Sequence, residues 1–157
     1  MYVKQKTTIV EILCALFVIL FIYTGLNKLL DYDTFKFQLG RSPYLQHFSA
    51  PLAAILPAGE LLVVIALVVK RTRLAGLYAS YFLMCLFTGY VAVMLRFSYY
   101  LPCSCGGILQ ALSWKGHLLF NGLFTLLSVA AVLLQNQLQT NHPIHSPKPR
   151  YYETLQT

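Results

Sequence analysis

The stretch APLAAILPAGELLVVIALVV, residues 50–69, decides the fold. As helix at 1.5 Å per residue it is about 30 Å long, the thickness of a bilayer's hydrocarbon core. Glu60 is its only charge. Three more stretches resemble it, at 9–30, 74–97 and 117–135. Of the 157 residues, 57% are hydrophobic and 11% charged, with mean hydropathy +0.61, which excludes an ordinary soluble domain. We therefore expect an all-α integral membrane protein, a four-transmembrane-helix bundle formed by residues 1–135 in contact with the lipid bilayer. Lys4 and Lys6 before the first stretch imitate a secretory leader. Tyr23, Leu26 and Leu29 stand where a cleavage site needs small residues, so that stretch reads as a retained span.

Basic residues close to helix ends set orientation. Lys4, Lys6, the turn KRTR (Lys70, Arg71, Arg73), Lys148 and Arg150 share one side; Lys28, Lys36, Arg41, Arg96 and Lys115 share the other, diluted by Asp31 and Asp33. The compact KRTR turn is the stronger anchor and predicts both termini in the cytoplasm. The net charge of +7 is scattered over both sides, with no basic stripe or recognition motif, so it implies topology and no nucleic acid. Residues 31–49, DYDTFKFQLGRSPYLQHFS, are too polar to span. Phe35, Phe37, Leu39, Tyr44, Leu45 and Phe48 give them an apolar side suited to the outer interface. Residues 136–157 are polar and proline-rich, the composition of a mobile cytoplasmic tail.

Between the third and fourth spans lies LPCSCGG, residues 101–107, which this orientation puts on the periplasm-like side, where disulfides form and persist. A bond between Cys103 and Cys105 would close a small, strained ring, easily reduced and suited to exchange. Gly106 and Gly107 leave the sulfurs unshielded, and Pro102 fixes the approach of the chain. Two other readings stand beside exchange: an inert bridge pinning the loop, and half of a metal site, for which His117 and His47 leave the ligand set incomplete. Cys14 and Cys85, inside spans, read as small hydrophobes, with an electron relay as the alternative. Glu11 lies one turn inside the first span and reaches the interface. Glu60, in mid-span after Pro57, needs a partner or a proton. Lys28 and Arg96 are the candidates, and the pair serves either as a structural tie or with Glu60 as proton acceptor.

Taken together, YTGLNKLLDYDTF (23–35), SPYL (42–45), the 55–69 run and CSCGG resemble the DoxX-like membrane proteins, and within them the MauE branch, named for methylamine utilisation. The resemblance covers residues 7–134. It implies a four-helix bundle in the bacterial inner membrane that makes or maintains disulfides in periplasmic proteins with a thioredoxin-like partner. Cys103 and Cys105 match the family's cysteine pair, and Gly25, Lys28, Pro57 and Glu60 its helix signatures. Gly106 departs from the pattern, which more often has an aromatic residue there.

The expectation is a membrane thiol:disulfide oxidoreductase, in which one cysteine attacks and the other resolves. Analogy with quinone-coupled disulfide-forming bundles adds a quinone as electron sink, held among Tyr99, Tyr100 and Trp114 or near Glu60. The alternatives are a scaffold or assembly subunit of a larger membrane complex, and a small transporter using Glu60 and Lys28. Gly116, Gly122 and Ser128 in the last span permit close helix packing.

Overall fold

The computed structural model describes residues 2–41, 45–97 and 113–141. They form five α-helices and one 3₁₀ turn, with no strand among the described residues. The helices are α1 (Tyr2–Leu30), α2 (Tyr32–Gly40), α3 (Ser49–Val68), α4 (Arg73–Phe97) and α5 (Trp114–Asn141); the 3₁₀ turn is Gln46–Phe48. Four of these, all but α2, are long and apolar enough to cross a membrane. Hydrocarbon offers the backbone no hydrogen bonds, so apolar segments of this length satisfy their own as helices. Ile12, Ile19, Leu62, Ile65, Leu119 and Leu126 are exposed on the outside of the bundle, the surface a multi-pass membrane protein turns to lipid.

The four long helices form a ring in the order α1, α3, α4, α5, each packed on its two neighbours. At one end α3 turns directly into α4. There Val69 is extended, the Thr72 amide donates to the Val69 carbonyl at 3.0 Å, and the Thr72 hydroxyl donates to the Ala66 carbonyl at 3.0 Å. This turn needs Gly76: a Cβ on it would lie 2.9 Å from the backbone of both Ala66 and Leu67. Above the turn, Val10, Phe17, Phe21, Leu67, Leu77 and Ala131 fill the bundle centre. The Phe17 ring stacks on Phe21 at 6.1 Å and meets Phe124 edge-on at 5.7 Å.

At the other end, α1 stops at Asp31 and the chain turns straight into α2. Asp33 in the first turn of α2 suits the helix dipole. The 31–49 segment is thus largely helix and 3₁₀ turn, with residues 42–44 outside the described residues. One side of α2 is apolar: Phe35 and Leu39 are buried against Ala53 of α3, while Phe37 is exposed. Pro51 lies in the first turn of α3, where a missing N–H matters least. Pro57 stands inside the same helix, and α3 continues through it.

The last helix differs from the expected boundary, running to Asn141 beyond residue 135. The polar residues there have partners: Asn136 Nδ2 donates to Tyr78 Oη at 3.0 Å, and Lys6 Nζ donates to Gln137 Oε1 at 2.8 Å. Helix and polarity are compatible once the chain leaves the apolar zone. Residues 142–157 lie outside the described residues.

Candidate functional site

Lys28, in the last turn of α1, is 7% exposed, and Glu60, at the middle of α3, is 0% exposed. Lys28 Nζ donates to Glu60 Oε1 in a buried ion pair. Two rings flank the ammonium, with centroids at 5.2 Å (Phe87) and 5.9 Å (Phe35). An isolated charge in hydrocarbon is costly, and mutual neutralisation is what lets both groups stay there. Gly25 makes the approach possible: a Cβ at that position would stand 3.3 Å from Glu60 Oε2, tighter than ordinary contact.

Beside this pair the bundle is hollow. A cavity of about 270 Å³ lies between all five helices. Its walls are mostly leucine and aromatic rings, with Phe21 of α1, Phe35 of α2, Phe87 of α4 and Phe120 of α5 among them. Six polar side chains also reach it: Thr24, Lys28, Glu60, Tyr90, His117 and Asn121. Tyr90 Oη is buried and makes no hydrogen bond among the described residues, while the buried Thr24 Oγ1 and the second oxygen of Glu60 have each other as neighbours but make no bond of good geometry. A buried hydroxyl left unpaired in an apolar setting costs about 1–3 kcal/mol, so a polar partner for Tyr90 from elsewhere would be held firmly.

Of the residues singled out in the sequence, Lys28 and Glu60 come together. Arg96 does not join them; it is exposed in the last turn of α4. Glu11 faces Arg73 of the KRTR turn at 3.9 Å and is half exposed, as expected of a residue near the interface. Cys14 is a free thiol packed in the core beside Phe17, and Cys85 is a half-buried free thiol on α4. His47 is exposed on the 3₁₀ turn, whereas His117 is buried at the cavity, so the two do not face one site. Tyr99, Tyr100, Pro102, Cys103, Cys105, Gly106 and Gly107 lie outside the described residues, and Trp114 is described only as the first residue of α5.

Sequence reasoning missed Thr24, Tyr90 and Asn121. A signal was available: Thr24 and Lys28, and again His117 and Asn121, are four residues apart, placing each pair on one helix face. Polar residues recurring on one face of an apolar span mark the face turned away from lipid.

The family model described as methylamine utilisation protein MauE matches residues 6–134, which include the ion pair, the cavity and the segment carrying Cys103 and Cys105. No curated protein and no solved structure matches the chain.

Proposed function

The chain belongs to the MauE family, and from that premise we propose that it is a membrane protein of the bacterial inner membrane supporting thiol–disulfide exchange in periplasmic proteins through Cys103 and Cys105. Family membership supports the coarser part, a membrane-associated accessory role. The observation that carries the finer part is connectivity. Segment 98–112, which contains Cys-Ser-Cys, joins Phe97 of α4 to α5, and Tyr90 and Val91 in the last two turns of α4 and His117 in the first turn of α5 border the cavity beside the buried ion pair.

In this reading the thiolate of one cysteine attacks a sulfur of a thioredoxin-like partner's disulfide, forming a mixed disulfide and releasing the partner's second sulfur as thiolate. The other cysteine then attacks the mixed disulfide. The pair ends oxidised, the partner ends as a dithiol, and two electrons have moved between them; the reverse sequence oxidises the partner. Lys28 and Glu60 act as a positioning pair, tying α1 to α3.

The test is to label thiols in intact cells before and after reduction, then run Cys103→Ser and Cys105→Ser singly on non-reducing gels. A reversible disulfide in the unaltered chain and a covalent adduct in one single variant are the expected results. A pair that never changes state and traps nothing in either variant overturns the exchange reading, leaving an assembly subunit with a pinned loop.

A further inference from the structure

The cavity next to the Lys28–Glu60 pair does not fit the description of a packing fault. Its 270 Å³ far exceeds the roughly 10–15 Å³ one water needs and approaches the lower end of the roughly 300–1,000 Å³ of ligand pockets. The cavity is only partly enclosed, and Leu86 among its lining residues is 49% exposed, which puts a side chain of the bundle's outer surface at its edge. A ligand entering there comes from the membrane.

The walls narrow its chemistry. Phe21, Phe35, Phe87 and Phe120 present rings from four different helices, a lining that favours a flat ring over a flexible chain. Against those rings stand the hydroxyls of Thr24 and Tyr90 and the second oxygen of Glu60. A plain acyl chain would fill the space and leave the Tyr90 hydroxyl without a partner and Thr24 and Glu60 with only each other. A ring bearing oxygens would satisfy them: a carbonyl accepts from Tyr90 or Thr24, and a hydroxyl donates to Glu60.

We infer that this cavity binds a membrane-soluble quinone or its quinol, ring between the phenylalanines and oxygens toward Tyr90, Thr24 and Glu60. The inference goes beyond the exchange reading and stands on described residues alone, whether or not Cys103 and Cys105 exchange.

The experiment uses the full chain carrying Cys103→Ser and Cys105→Ser, in lipid nanodiscs, with an azido-benzoquinone bearing a decyl tail as photo-crosslinking probe. Adducts located by peptide mass spectrometry should fall on cavity-lining segments of α1, α4 and α5. Unlabelled decyl-benzoquinone should compete, and decanoic acid should not. Tyr90→Phe should weaken binding about three- to tenfold, the loss of one hydrogen bond. Leu56→Trp, which fills the cavity, should abolish labelling while the thermal unfolding midpoint is retained. Adducts spread evenly over lipid-facing residues, equal competition by decanoic acid, or labelling indifferent to Tyr90→Phe would each overturn the inference. Because the cysteines are absent from this variant, a failure here leaves the exchange reading intact, and a failure to trap a partner leaves the quinone site intact.

Discussion

The two ends of the bundle are built from the same helices and differ in almost everything else. Toward the α3–α4 turn, α1 contributes Phe17 and α5 contributes Phe124 and Ala131 to a filled core, and α4 lies against α3 at Gly76. Toward α2, α1 contributes Thr24 and Lys28 and α5 contributes His117 and Asn121 to a hollow containing a charge pair. In a bilayer, apolar packing gains dispersion contacts but little hydrophobic free energy, because lipid tails are as apolar as leucine. A void beside charges is therefore tolerable if the rest of the bundle is close-packed. One end provides rigidity, and the other is left able to hold something.

The sharpest way to break this contrast is to remove one charge. Glu60→Ala strands a buried ammonium and is expected to lower stability by about 3–5 kcal/mol, whereas Lys28→Met with Glu60→Leu removes both charges and recovers most of the loss. Unfolding in mild detergent measures both; a double variant as unstable as the single one would refute the buried pair. At the filled end, Gly76→Ala pushes a methyl into the backbone of α3 and should lose about 1–3 kcal/mol, while Gly122→Ala, whose Cβ meets nothing within 4 Å, should be harmless or slightly stabilising. Equal effects from the two alanines would mean that helix propensity, not close approach, governs Gly76. The smallest effect is expected where the halves meet. Thr88 and Thr125 hydroxyls lie 3.0 Å apart between α4 and α5, and Thr88→Val should lower stability by about 0.6 kcal/mol, read as a small shift in unfolding midpoint.

Much of this architecture was legible in the residues, for reasons that also explain the gaps. The four spans follow from length and apolarity, because hydrocarbon thickness is a fixed ruler. Glu60 announced a partner by being charged in mid-span, and Lys28 and Arg96 both met the requirement on paper. Only three dimensions select Lys28, through the close approach at Gly25. The cavity was harder to foresee. In water, an apolar stripe marks the buried face of a helix; in lipid, both faces are apolar, and Leu56 inside the cavity looks no different in sequence from Leu62 on the outside. The extension of α5 to Asn141 was hidden by its polarity, since Asn136 and Gln137 read as tail until their partners Tyr78 and Lys6 are seen.

The placement of the two charges also has a bearing on biosynthesis. α1 leaves the ribosome before α3, so the ammonium of Lys28 is already at the membrane when the acid in the middle of α3 reaches the insertion machinery. A single charge at a helix centre costs about 2.5–3.5 kcal/mol at that step, and a waiting countercharge lowers the barrier. A circular permutant in which α3 is translated first would present the acid alone, and should insert with lower yield even though the finished bundle has the same contacts.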